Sequence, residues 1–214
     1  MPHSALAHRI SAVDFESANP TVVKSIKQRD LLNTWLRLYA RQQCPPRRDD
    51  YKPERIADEA PDLVYYLVDA AHQQTRLIIE SDGTRMSDAY GNTGKGKSLR
   101  EYIGPRLAPQ VMPIYYACIE RRLPVYTVST IDDMYGRLVA YERLLMPFSE
   151  SDLGEVTHII ASLKTISEDG SFEIRNLMRD DQKLPTQKFR GVIDRDLFHR
   201  MPGRIPADDV IEFG

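Results

Sequence analysis

The stretch from Pro124 to Ile166 constrains the fold more than any other part of the chain. Three runs rich in β-branched and aromatic residues, PVYTVSTI (124–131), RLVAYERLLMP (137–147) and EVTHIIASLKTI (155–166), are joined only by DDMYG and FSESDLG. Both connections have hairpin length and turn-forming composition. A parallel pair would need a crossover of a dozen or more residues, so these runs predict an antiparallel meander. Upstream, PDLVYYLVDAA and TRLIIES, separated by HQQ, read as a second hairpin. Between the two groups, residues 82–107 read as short helical turns in glycine-containing loops. From Pro109 to Arg121, Val111, Ile114, Tyr115, Cys118 and Ile119 fall on overlapping helical faces, with Pro113 expected to kink the helix or open it. The order β-β-α-β-β-β predicts an α+β fold around an antiparallel five-stranded sheet with helices on one face.

That sheet has two faces to cover. The last run carries Ile159, Ala161 and Leu163 on one side and Val156, Ile160 and Ile166 on the other. The helix from residue 109 covers only one side. The second cover is expected from residues 21–43, where Asn19 and Pro20 open an amphipathic helix carrying Ile26, Leu31, Leu32, Trp35, Leu36 and Tyr39, stopped by Pro45-Pro46. This helix, from its own chain or from a dimer partner, should bury Leu32 and Trp35. The chain thus divides into an extended or disordered start (1–20), an N-terminal helix and polar linker (21–60), the sheet domain (61–167) and a charged, proline-dotted C-terminal arm (168–214) carrying Phe172, Phe189, Phe198 and Phe213.

Charge limits the partners. With 29 Lys+Arg against 31 Asp+Glu and a net charge of −2, there is no basic excess to neutralise a phosphate backbone, so nucleic acid is not expected as a partner. No uninterrupted apolar run approaches the roughly 20 residues that span a bilayer, so no membrane insertion is expected. Cys44 and Cys118 make neither a disulfide framework nor a zinc pattern, which suits a reducing cytoplasm.

One motif stands out. GNTGKGKS (91–98) matches G-x-x-x-x-G-K-[ST], the loop whose amides cradle nucleotide phosphates. Its mechanism requires a buried strand before the first glycine and an unbroken helix after the lysine. Here SDGTRMSDAY precedes it, and LREYIGP runs into Gly104-Pro105 within two turns. Asp132-Asp133, which could hold a magnesium water, is followed at hairpin distance by the next strand, unlike the acidic strand of a parallel sheet. The loop is therefore expected to be solvated. His3, His8, His72, His158 and His199 are too scattered for a metal motif, and no G-x-S-x-G elbow or base for Cys118 is present. No catalytic residue, cofactor or metal is expected.

The strand order and three segments, LLNTWLRLYARQQCPPRRDDYKPERI, RLIIESDGTRMSDAYGNTGKGKSLREYI and YERLLMPFSESDLGEVTHIIASL, resemble a PAS domain. More narrowly, they resemble the short PAS-like family of alphaproteobacteria formerly described as a domain of unknown function. The resemblance covers about residues 28–167, with RLLMPFS its most specific piece. It implies a sensory or regulatory module in which an antiparallel five-stranded sheet and helices enclose a small cavity. The Asn-Cys-Arg-Phe run of flavin-thiol photoreceptors is absent, and residues 108–121 lack the histidine of haem sensors. The expected function is a non-catalytic module that binds a small anionic metabolite or a protein partner, or pairs with a second copy. Two alternatives stay open: a nucleotide-binding protein using GNTGKGKS, and a purely structural dimerisation module.

A sheet covered by a kinked helix leaves a cavity beneath the kink, and recognition there needs a few polar groups on an apolar wall. The candidates are Arg143, Tyr141, Tyr115, Tyr116, Tyr102 and His158. Arg143 is the sharpest, because a guanidinium inside an apolar strand must find an anion or a set of carbonyls. An internal ion pair, with Glu101 or a neighbour of Glu142, is the competing reading.

Overall fold

The computed structural model describes residues 15–71, 74–151, 154–167, 170–179 and 183–194. His3, His8, His72 and His199, most of the expected extended N-terminus, and Phe198 and Phe213 of the expected arm lie outside the described residues. In chain order the elements are β1 (Glu16–Ala18), α1 (Ile26–Gln42), α2 (Ile56–Glu59), β2 (Leu63–Asp69), β3 (Arg76–Asp82), α3 (Thr84–Tyr90), α4 (Leu99–Arg121), β4 (Val125–Asp132), β5 (Leu138–Phe148), β6 (His158–Ser167) and β7 (Thr186–Ile193).

These strands form one seven-stranded sheet in the order β1-β7-β4-β5-β6-β2-β3. Seven corrects the five expected. The sheet is also mixed, because β1 runs parallel to β7 while every other pair is antiparallel. The added strands come from segments read as an extended start and an arm. A strand as short as Glu16–Ala18 carries no alternation signal, and in TQKFRGVI the charged Lys188 and Arg190 hide the pattern.

Helices cover both faces. On one face α1 lays down a single stripe, Gln28, Leu31, Leu32 and Trp35, all buried. Ser25 caps its N-terminus by accepting from the Gln28 amide, and Gln43 ends it in the left-handed region. Trp35 is fully buried, stacks on Tyr39 with ring centroids 4.9 Å apart, and donates its indole N–H to the Pro147 carbonyl at 2.7 Å. Tyr126, Leu144, Met146, Phe148 and Ile160 complete this core from the sheet.

The opposite face carries α3 and α4. The break in α4 falls at Gly104, not at Pro113 as the sequence suggested: its φ of 76° and ψ of 170° suit glycine, and Pro105 fixes the φ that reopens the helix. Leu107, Val111, Ile114, Tyr115 and Cys118 then face Val64, Tyr66, Ile79, Val139 and Ile159. With helices above and below, β5 is buried at every residue from Tyr141 to Phe148. Burial pushes the Cys118 thiol well up, as suits a packing residue rather than a nucleophile.

Candidate functional site

The second core is incompletely filled. A cavity of about 50 Å³ lies between α3, α4 and the sheet, with Tyr66, Tyr90, Tyr115, Tyr141 and Arg143 in its wall. Each reaches it for a local reason. Tyr141 and Arg143 alternate onto one face of β5 and Tyr66 reaches the same face from β2, Tyr90 ends α3, and Tyr115 lies on the buried side of α4. The described tail closes the space: Asn176 and Met178 donate backbone N–H groups to the carbonyls of Asp88 and Ala89, each at 2.9 Å. This places Ile174, Leu177 and Met178 in the wall. Arg106 donates to the Met178 carbonyl at 2.8 Å and anchors the tail to α4.

Arg143 is 6% exposed. Among the described residues it makes no hydrogen bond or ion pair, and its Nε is buried without a partner. Its guanidinium carbon instead stands 5.8 Å from the ring centroids of both Tyr115 and Tyr141. The competing expectation of an internal ion pair finds no partner: Glu101 is exposed, and Glu142 alternates to the other face of β5.

Three phenols near Arg143, those of Tyr115, Tyr66 and Tyr90, are held neutral. Burial pushes the Tyr115 phenol up, and the Arg143 guanidinium only partly offsets this. Burial likewise raises Tyr66 and Tyr90. The Tyr115 hydroxyl donates to Tyr66 at 3.0 Å, and Tyr66 in turn points at the Met86 sulfur, 3.8 Å away. The ring faces of Tyr115 and Tyr141 attract the cation but cannot neutralise it. Among the described residues the wall holds three cationic side chains, Arg85, Arg143 and Lys164, and no carboxylate. Arg85 and Lys164 are paired outside the wall with Asp62 and, for Lys164, with Glu59 as well.

Three of the six residues proposed from sequence therefore meet: Arg143, Tyr141 and Tyr115. The other three stand elsewhere. Tyr102 is half-buried over the neighbouring loop, donating to the Asn92 carbonyl at 2.7 Å and packing on Tyr90. Tyr116 turns outward and receives a hydrogen bond from Arg100 at 3.4 Å. His158 is corrected most sharply: it pairs in register with Phe148 and so shares the α1 face, opposite Arg143. Sequence reasoning missed Tyr90, hidden in a glycine-containing stretch. It did not single out Tyr66, because its face depends on strand register.

Four successive amides of GNTGKGKS, Gly94 to Lys97, are spent within the chain. The Gly94 amide goes to Asp82 at 3.0 Å, Lys95 to Thr93 Oγ1 at 3.2 Å, Gly96 to the Ile79 carbonyl at 2.8 Å and Lys97 to the Gly94 carbonyl at 3.0 Å. Thr93 and Ser87 hydroxyls also donate to Asp82, at 2.8 and 2.7 Å. Burial alone would raise the Asp82 carboxyl, but these donors outweigh it and hold it below the usual carboxylate range. An internal carboxylate thus occupies the anion's place in the cradle. Gly94 packs closely, since a β-carbon there would stand 2.7 Å from Ile79 Cδ1 and push that side-chain end aside.

Among the described residues, no group of three His, Cys, Asp or Glu side chains could hold a metal ion, and no helix is long and apolar enough to cross a membrane. A family model described as a PAS domain matches residues 23–164. Among solved structures, one described as "Flavin Analogue Sheds Light on Light-Oxygen-Voltage Domain Mechanism" is 15% identical, covers 53% of this chain and 84% of its own, and superposes with a TM-score of 0.37. No curated protein sequence matches the chain.

Proposed function

The chain belongs to the PAS domain family, and from that premise we propose that it is a non-catalytic sensory or regulatory module whose input is a small anion held by Arg143. One observation carries this reading: among the described residues, a buried guanidinium has no acidic partner, and the cavity wall it lines holds no carboxylate. A buried charge normally demands a paired, hydrogen-bonded counter-charge. Tyrosine faces supply part of that need, and an anion accepting two parallel N–H bonds would supply the rest. The cavity's 50 Å³ is room for about four water-sized centres, against the roughly 300–1,000 Å³ of pockets that take drug-sized ligands. The input is accordingly a compact anion. Tyr115 and Tyr141 orient the guanidinium, and the tail segment over the cavity is the element an occupant would steady. We assign the output to contact with a protein partner or a second copy of the chain, which light scattering with and without the anion would register.

The direct test is Arg143→Met, which keeps the side-chain length and removes the charge. In a thermal-shift series with formate and acetate, the native protein should gain stability with concentration. The variant should fold and show no gain. Loss of folding in the variant, with no anion effect in the native chain, would mark Arg143 as structural and sink the reading.

A further inference from the structure

Arg143 is not alone on its row. Strand register sets Arg190 of β7 opposite Thr127 of β4, Thr127 opposite Arg143 of β5, and Arg143 opposite Leu163 of β6. Directly opposed residues point to the same face of a sheet, so the two arginines flank Thr127 on the cavity side. Adjacent strands lie roughly 4.8 Å apart, which puts the two arginine backbones about 10 Å from one another. Both guanidiniums are then within reach of one small ion between them.

Among the described residues, each of the three side chains has a buried polar atom without a partner. Thr127 is fully buried and its hydroxyl is unpaired; Nε of Arg190 is buried and unpaired, as is Nε of Arg143. Burial, and then the charge of Arg143, lower the pKa of Arg190, so the two cations feel each other. Nothing along the row offsets them, since its remaining member is Leu163. Among the described residues β1 pairs with Gly191, Val192 and Ile193, so partly exposed Arg190 stands just past the end of that pairing.

We infer that Arg143, Thr127 and Arg190 form a binding site for a compact, doubly charged oxyanion of the size of hydrogen phosphate or sulfate. This rests on the reading of Arg143 as an anion anchor and goes beyond it in charge, size and the origin of the second ligand. A monoanion would neutralise one guanidinium and leave the other repelling it. A dianion pairs both, with the Thr127 hydroxyl donating to an oxygen between them. The second cation comes from β7, outside the residues 23–164 matched by the family model. The C-terminal strand is thus what sets the charge of the ligand.

Calorimetry with sodium phosphate, sodium sulfate, acetate and nitrate on the full chain tests this. Phosphate and sulfate should bind the native protein at least tenfold more tightly than acetate or nitrate. Phosphate binding should strengthen as pH rises through its second ionisation, while sulfate binding stays flat. Arg190→Met should erase the dianion preference and keep acetate binding; Arg190→Lys, which retains the charge should Met disturb β7, should keep most of the preference. Equal affinity for dianions and monoanions, or an unchanged preference in Arg190→Met, would overturn the dianion site and leave Arg143 as a monoanion anchor. Phosphate binding that survives Arg143→Met, or no binding by any of the four ions, would overturn both.

Discussion

Two regions of the molecule treat buried cations in opposite ways. Beside α2, Lys164 lies between Glu59 and Asp62, Glu59 also takes Lys27 at 3.0 Å, and Asp62 also takes Arg85 of α3. Every cation there has an acid. Under α4, Arg143 has tyrosine rings and a cavity. The same sheet supplies Lys164 and Arg143, so the difference lies in what the helices and loops bring. In the first region, α2 and the turn after it carry Glu59 and Asp62 to the sheet. In the other, α3 and α4 bring Tyr90 and Tyr115 to the cavity, and no carboxylate stands among its described lining residues. Acids of the chain pair the cations of one region, and among the described residues none pairs Arg143 in the other.

The largest effect should come from breaking the α1 face. Trp35→Ala removes a fully buried ring, its stacking on Tyr39 and its hydrogen bond to the Pro147 carbonyl. Large-to-small changes of this kind cost about 3–5 kcal/mol. Urea unfolding should report a loss in that range with an unchanged slope. A loss under about 1 kcal/mol would mean that α1 is dispensable to the sheet, and the contrast between the regions would fall with it.

A sharper comparison sets Lys164→Met beside Arg143→Met. Removing one member of a buried ion pair costs about 3–5 kcal/mol when the other is left alone. Here Glu59 keeps Lys27 and Asp62 keeps Arg85, so about 2–3 kcal/mol is expected for Lys164→Met by the same reasoning. Arg143→Met deletes a charge that has no acid to orphan. Its stability without added anion should stay within about 1 kcal/mol of the native chain, since apolar replacement of buried charge is often neutral or favourable. Equal losses in the two variants, measured by the same unfolding experiment in anion-free buffer, would show that Arg143 is paired after all.

How far the sequence revealed this contrast depends on the element. Hairpin-length connections exposed the meander, because DDMYG and FSESDLG leave no room for a crossover. The stripe of Leu31, Leu32 and Trp35 is visible as helical spacing, and those are residues that α1 buries. Arg143 is conspicuous as a cation in an apolar strand. The remaining site residues depend on register, which hairpin length alone does not fix. Arg143 and Phe148 are an odd number of residues apart on β5, so His158, paired with Phe148, falls on the wrong face. Arg190 was out of reach, since a strand 60 residues from its partner β4 leaves no local trace in the sequence.

The smallest expected effect is one of pH, and it tests the face assignment of His158. The ring is 5% exposed on the α1 side, with Nδ1 3.5 Å from Glu150 and Nε2 3.8 Å from Glu80. Burial, and then Arg48, depress its pKa below the ordinary 6.5, and the two glutamates only partly oppose this. The folded state therefore keeps the imidazole neutral where the unfolded chain takes up a proton. Between the folded value and 6.5 the unfolded state binds more protons, so stability rises with pH across that interval. The contribution is present in full above the unfolded pKa and is lost as pH falls through the folded one. Melting temperature should accordingly drop on acidification from about pH 7.5 to about 5.5, a range that brackets the histidine titration. His158→Gln should flatten that drop and leave acetate or phosphate affinity untouched, because the ring lies on the other side of the sheet from Arg143. A His158→Gln variant that changed anion affinity would join the two faces and end the separation between them.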